Sequence, residues 1–229
     1  MLYYLALSVF SSSLTGYKKH SGIEARRILS ILNEKPFNEN DIAKEAAGRP
    51  YFRDGEADFS IAHSGNAAAV SFVKGGDFRT GCDIERIRPR SQAANIAGDY
   101  FSIAENKYIF KSGILDEKRF YEIWTLKECF IKLRGLSVFD MACVPSFIGS
   151  DACGSDKFVF CAPVSLPLSF GLYELTDNSN NNCYMLAAVI EGTHKLPQIR
   201  LFSQFSLDCK IIAEINAAPN PAQTVSPKR

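Results

Sequence analysis

The stretch from Asp58 to Ile87, DFSIAHSGNAAAVSFVKGGDFRTGCDIERI, decides the architecture. Its apolar and β-branched pieces DFSIA, AAAVSFV and FRTGCDIERI are separated by HSGN and by Gly75–Gly76, residues that accept the backbone angles of tight turns. Three strands joined by turns are predicted. On the third, Asp83 and Glu85 sit two apart, so both carboxylates project from one face while Ile84 projects from the other. Two oxygen donors side by side suit a hard cation such as Mg²⁺, which takes one or two carboxylates and leaves its other positions to water or substrate phosphates. The same spacing also describes the acidic edge of a half-exposed strand.

Upstream, MLYYLALSVF (residues 1–10) has no Lys or Arg before its apolar stretch and no small-x-small pattern after it, so it is read as a first core strand and not a targeting signal. Ser21 with Glu24 has the capping-box spacing and predicts a helix from Ser21 to Leu32. Ala25, Ile28, Leu29 and Leu32 share its inner arc, and Arg26, Arg27 and Ser30 its outer, solvated one. Arg49, in GRP, is held extended or in a turn by the proline that follows. His63 ends a strand at a turn, a position that serves either ligand binding or backbone hydrogen bonding.

Downstream, Ser102 and Glu105 form a second capping box, and Asp116 precedes a periodic run, Glu117 to Arg134, that stops at Gly135. In that helix Tyr121, Thr125, Glu128 and Lys132 lie on one arc and Ile123, Leu126, Phe130 and Leu133 on the other, predicting one buried face and one that presents a carboxylate beside an amine. Glu128 and Lys132 also have the i, i+4 spacing of a surface ion pair. KFVFCAPV, SFGLYEL and CYMLAAVI read as three further strands, with DNSNNN as a turn between the last two. The expected fold class is α+β, with two similar-sized halves that divide near Gly75–Thr80: residues 1–78, residues 79–215, and an unstructured tail, 216–229.

Composition excludes several functions. In 229 residues, 26 Lys and Arg balance 25 Asp and Glu, leaving a net charge of +1 and no basis for whole-molecule attraction to nucleic acid or an anionic membrane. Any anion site must be local. The 7 cysteines are odd in number and nowhere spaced C-x-x-C, which fits a reducing cytosol better than a disulfide framework or zinc cage. No apolar run approaches the ~20 residues of a membrane span. His63-Ser64-Gly65 lacks the G-x-S-x-G elbow of serine hydrolases, and neither a Walker A nor a G-x-G-x-x-G loop is present.

Together GRPYF, FSIAHS, GCDIE, FSIAENKY and WTLKECFIKLRG, spanning residues 48–135, stand in an order and spacing that resembles the surfactin-type 4'-phosphopantetheinyl transferases. The most specific element is GCDIE followed about forty residues later by WTLKE-x-x-x-K. The resemblance implies a pseudo-dimer of two α+β half-domains with coenzyme A in the cleft between them. It implies transfer of the phosphopantetheine arm to a serine of an apo acyl or peptidyl carrier protein, with release of 3',5'-adenosine bisphosphate, by a cytoplasmic monomer. By the same resemblance Asp83, Glu85 and Glu128 hold Mg²⁺, and Lys127 and Lys132 lie beside the coenzyme A phosphates. His63 and Arg49 match phosphate-binding residues. From the basic cluster Lys18, Lys19, Arg26 and Arg27, the residues carried onto the 3'-phosphate are Lys19 and Arg27, each interchangeable with its neighbour. Ala62, Cys129 and the RGLS loop depart from the family's usual residues at those places.

The base that activates the serine is either Glu128, directly or through metal-bound water, or Lys132 if its pKa is depressed. Arg86, Arg88 and Arg90 form either a steering edge for an acidic carrier or a solvated face. Two other readings use the same residues: a non-catalytic module that binds coenzyme A or a carrier protein, and a Mg²⁺-dependent pyrophosphate hydrolase with water as nucleophile. Intact acids and Lys132 speak against the first, the carrier-directed resemblance against the second.

Overall fold

A computed structural model describes residues 2–10, 17–150, 158–161, 167–192, 197–201 and 207–216. Along the chain run β1 (Leu2–Val9), α1 (Tyr17–Asn33), β2 (Ile42–Lys44), β3 (Pro50–Phe52), β4 (Ala57–Ser64), β5 (Ala67–Lys74), β6 (Thr80–Arg86), α2 (Ala93–Tyr100) and α3 (Ile103–Ile109). There follow β7 (Phe110–Lys111), β8 (Ile114–Leu115), α4 (Glu117–Arg134), β9 (Ile148–Ser150), β10 (Phe158–Phe160), β11 (Leu168–Asp177), β12 (Asn182–Glu191), β13 (Gln198–Leu201) and β14 (Leu207–Asn216). This is a mixed α+β fold. No helix among the described residues is long and apolar enough to cross a membrane.

Two four-stranded sheets, ordered β13-β1-β5-β4 and β14-β11-β12-β6, carry the structure. Strand alternation assigns their faces. Leu5, Leu7 and Val9 of β1 join Ala62, Ala67 and Ala69 in a cluster with Cys82, Ile84, Leu186 and Ala188 of the second sheet. Tyr4 and Ala6 point the other way, onto Ala25, Ile28, Leu29 and Leu32 of α1. Likewise Met185, Ala187 and Val189 of β12 pack against Ile123, Leu126 and Phe130 of α4. The layers are therefore helix, sheet, sheet, helix, and the many alanines at the sheet–sheet contact leave room for the two to meet.

Gly81 sets how closely α4 lies on β6. A Cβ built there stands 2.5 Å from the Cys129 carbonyl oxygen and 2.9 Å from the Leu133 nitrogen, both backbone atoms of α4 that no rotamer change can move. At the same crossing the Cys129 thiol donates to the Gly81 carbonyl, S···O 3.4 Å. Asp116 caps α4 by accepting from the Arg119 amide at 3.1 Å, and Gly135 ends it in the left-handed region, φ 63°.

Several expectations change. α1 begins at Tyr17, so Ser21 is buried inside the helix and does not cap it. Its partner in the expected box, Glu24, instead takes Arg27 at 2.7 and 2.8 Å, because packing of the apolar arc extends the helix past the local stop. The Ser102–Glu105 box forms as expected. Nor does α4 bury only one face: Tyr121 and Thr125 are buried too, on the arc whose Lys132 meets Asp83 of β6, and Tyr121 donates to the Arg88 carbonyl just beyond that strand at 3.2 Å. The short strands β2, β3, β7, β8, β9 and β13, the ten-residue β14 and the helix α2 were not anticipated. β5 of the first sheet and β6 of the second are joined by the loop between Lys74 and Thr80, and β13, far along the chain, pairs in parallel with β1 of the first sheet. Apart from Asn216, which ends β14, the expected tail lies outside the described residues.

Replacing Gly81 with alanine is expected to cost about 1–3 kcal/mol, the usual range for overpacking, measured as a lowered urea midpoint. An unchanged midpoint would show that α4 can shift freely on β6.

Candidate active site

β6 and α4 bring four of the expected residues together. Asp83 is buried on the α4-facing side of β6, and Lys132 donates to its Oδ1 at 2.7 Å. Lys132 thus forms its ion pair across to the strand and not with Glu128 one turn back. The other oxygen, Asp83 Oδ2, is buried with no hydrogen-bond partner among the described residues. Glu85 is fixed from the neighbouring sheet: Ser64 Oγ donates to Glu85 Oε2 at 2.8 Å while accepting from the Arg86 amide at 3.0 Å.

Three acids meet one lysine here, and their proton affinities reflect it. Burial first, then the Asp83 charge, pushes the Glu85 carboxyl up. Burial and the same Asp83 charge, with a smaller push from Glu85, take Glu128 up to about 7 against the pull of Lys132 and Arg90. Burial works against the Lys132 ammonium, but the Asp83 carboxylate outweighs it and holds the lysine above its ordinary value. The depressed pKa that a lysine base requires is therefore not what this lysine has. A carboxyl titrating near neutrality is suited to accept a proton. Among the described residues no group of three or more His, Cys, Asp and Glu side chains forms a ready metal cage.

The other expected residues scatter. Lys127 points away from this cluster into the core, where it is 1% exposed, pairs with the fully buried Glu105 at 3.2 Å and donates to the Val144 carbonyl at 3.0 Å. Burial lowers its pKa and Glu105 restores part of it. Arg49 is buried among protein acceptors, Asp58, the Thr80 carbonyl and the Lys132 carbonyl. His63 is exposed near the end of β4 and lines a cavity of about 600 Å³ with Gly22, Arg26, Phe37, Glu39, Ile42, Lys44, Pro50, Arg53, Phe59 and Ile61. A second cavity of about 220 Å³ shares Pro50, Phe59 and Ile61 with the first and extends past Arg49, itself mostly buried, to Lys132 and Gly135. Of the basic pair on α1, Arg26 lines the larger cavity and there meets Glu39 at 3.2 Å, whereas Arg27 pairs with Glu24. The side chain of Lys19 lies outside what is described. Arg88 and Arg90 are exposed, Arg90 lying over the Trp124 ring at 4.9 Å.

Arg26, read from the sequence as the neighbour interchangeable with Arg27, is the one at the cavity, and sequence reasoning missed Lys44 and Arg53 there. The signals were there to use: Gly22 stands one turn before Arg26 and opens the helix surface, and Lys44 and Arg53 flank the GRP turn of the β2–β3 hairpin.

A strand with alternate carboxylates is thus faced by a helix that supplies a third carboxylate and a charged lysine lining the smaller cavity, residue types suited to phosphate groups and a hard cation. A family model described as the 4'-phosphopantetheinyl transferase superfamily matches residues 79–155, which contain β6 and α4. The chain is 31% identical over 150 residues to 4'-phosphopantetheinyl transferase AcpT of Salmonella typhimurium, covering 62% of this chain and 74% of the relative. It is 29% identical over 131 residues to AcpT of Escherichia coli, 53% and 65% of the two chains. Over 200 residues it is 24% identical to a putative 4'-phosphopantetheinyl transferase of Haemophilus influenzae, 83% and 77%. The chain belongs to the 4'-phosphopantetheinyl transferase superfamily and is a transferase.

The Glu128 carboxyl gives a pH test in metal-free protein. Its pKa in the fold, about 7, exceeds the ordinary 4.5, so the folded state holds the proton more tightly and stability from this group is lost as pH rises between those values. Glu128→Gln removes that burden. It is expected to raise the melting temperature by about 3–8 °C at pH 8 and by little at pH 4.5, read by calorimetry. An equal shift at both pH values would refute the burial of this charge.

Proposed function

We propose that the protein is a surfactin-type enzyme that moves the 4'-phosphopantetheine arm of coenzyme A, in a Mg²⁺-dependent reaction, onto a serine hydroxyl of an apo acyl or peptidyl carrier protein, releasing 3',5'-adenosine bisphosphate. The observation that carries this reading is the pairing of β6 with α4, which puts Asp83, Glu85, Glu128 and Lys132 in one electrostatically coupled group beside a basic cavity. The relatives' names support the reaction class.

Mg²⁺ suits the donor set. Asp83 Oδ2 lacks a partner among the described residues, and besides burial it is the Asp83 charge that pushes Glu85 and Glu128 upward, a repulsion a divalent cation relieves. A complete cage is not needed, because Mg²⁺ keeps waters and substrate phosphates among its ligands. Asp83, Glu85 and Glu128 would hold the ion, which when bound neutralises charge developing on the pyrophosphate oxygens.

The chain's own groups do the rest. Lys132, charged and partly exposed, faces the smaller cavity and stabilises negative charge on the leaving phosphate. Glu128 takes the serine proton. The larger cavity receives the phosphates of coenzyme A on Arg26, Lys44, Arg53 and His63, with Phe37 and Phe59 as its apolar wall. Two half-domains, residues 1–78 and 79–215, each carry most of one sheet, with β13 of the second completing the sheet of the first, and coenzyme A lies between them. Both contribute to one site in one chain, which supports a monomeric enzyme.

Incubation with coenzyme A, Mg²⁺ and an apo carrier protein is expected to raise the carrier's mass by one phosphopantetheine, read by mass spectrometry. An unchanged carrier with cleaved coenzyme A would indicate hydrolysis, and an unchanged carrier with intact coenzyme A a binding module. Asp83→Asn and Glu128→Gln are each expected to slow transfer about a hundredfold or more while keeping the fold, checked by circular dichroism. Arg26→Ala is expected to raise KM for coenzyme A about tenfold, more than Arg27→Ala does. The reverse order would move the phosphate contact to Arg27.

A further inference from the structure

The resemblance assigns Arg49 to a coenzyme A phosphate, but its surroundings describe another task. The residue is 7% exposed. Its Nε donates to the Lys132 carbonyl in the last turn of α4 at 2.9 Å, and one Nη2 serves both the Thr80 carbonyl at 3.1 Å and the Asp58 carboxylate. Asp58 Oδ2 in turn accepts the Thr80 amide at 2.8 Å, so the Arg49–Asp58 pair binds both backbone groups of the first residue of β6. The remaining nitrogen, Nη1, lies 3.9 Å from Glu45. Glu45 itself presses on the left-handed turn that ends α4: a Cβ on Gly135 would stand 2.2 Å from Glu45 Oε2 and 3.5 Å from Arg49 Cδ.

One planar cation thus touches the end of the element that carries Glu128 and Lys132 and the beginning of the element that carries Asp83 and Glu85. We propose that Arg49 is a positioning residue and not a coenzyme A ligand: its guanidinium sets the end of α4 against the start of β6, and through them the placement of Lys132 and Glu128 over Asp83. Three directions must be met at once by donors fixed in one plane, which the guanidinium fork provides and the ammonium of lysine, a compact charge on a flexible stem, does not. A phosphate arriving here would have to compete with two carboxylates already holding the charge. The inference rests on the transfer reaction proposed above where it speaks of rate.

Two variants and one measurement on the unaltered protein test it. Arg49→Lys keeps the charge and loses the fork; Asp58→Asn keeps the arginine and weakens its anchor. In the carrier-loading assay at saturating Mg²⁺ and carrier, both are expected to lower kcat about tenfold or more while KM for coenzyme A stays within about twofold, and the double variant to be no slower than the slower single one. A tenfold rise in KM with unchanged kcat in Arg49→Lys, with Asp58→Asn like the wild type, would overturn the proposal in favour of a phosphate contact. Should the variants fail to fold, or the wild type fail to load a carrier, NMR of [¹⁵N]arginine-labelled wild-type protein decides separately. The Arg49 Nε–H signal is expected to exchange slowly with water and to stay in place when coenzyme A is added. A signal that exchanges fast, or moves on coenzyme A addition, would overturn the assignment, whereas failure of wild-type loading alone would count only against the proposed reaction.

Discussion

The backbone of α4 can lie against β6 only because position 81 has no side chain. With Cys129 and Leu133 main-chain atoms where a Cβ would project, the helix rests directly on the strand, and residues one turn apart on α4 stand over residues two apart on β6. From that contact follow the short Lys132–Asp83 ion pair, the mutual repulsion of Asp83, Glu85 and Glu128, and the position of Lys132 at the edge of a cavity. The glycine of GCDIE is therefore as much part of the site as the two acids that follow it. The glycine also explains why Cys129 is accommodated: its thiol turns to the Gly81 carbonyl and supplies one more link across the crossing.

Many charges in this protein pair closely, Arg49 with Asp58 and Lys127 with Glu105 among them, but those of the candidate site stand partly apart. The acids of β6 and α4 outnumber the one lysine among them, while Arg26, Lys44, Arg53 and His63 line a cavity a short way off. Neither group neutralises the other. In the reading proposed here a substrate carrying several phosphates, together with a divalent ion, joins the two. A net charge of +1 is thus compatible with a polyanionic small molecule as ligand.

Where local rules matched the tertiary outcome, the sequence was readable. Alternation in Asp58–Ile87 yielded β4, β5 and β6 in their places, and the Ser102–Glu105 box, the Asp116 cap and the Gly135 stop bounded α3 and α4, because each depends on groups a few residues apart. That Asp83, Glu85, Glu128 and Lys132 would project together from β6 and α4 was legible for the same reason, as period-two and period-four patterns on elements long enough to show them. What escaped was non-local. Whether Arg26 or Arg27 turns toward the cavity depends on how α1 sits on its sheet, and Lys127, adjacent in sequence to Glu128, faces a buried partner contributed by α3. The strands β2, β3 and β13 are too short to show periodicity, and Ser21 satisfied a capping rule that packing overrode.

The parallel pairing of β13 with β1 bears on how the chain is made. β1 is buried on nearly its whole length, yet one of its edges stays without a neighbour until residues 198–201, close to the end of the described chain, have left the ribosome. An apolar strand with an open edge invites pairing with other chains. Until residues 198–201 are made, the nascent protein thus carries an adhesive edge on β1 that, among the described strands, β13 covers, so the first sheet closes only after the second has been synthesised through β12.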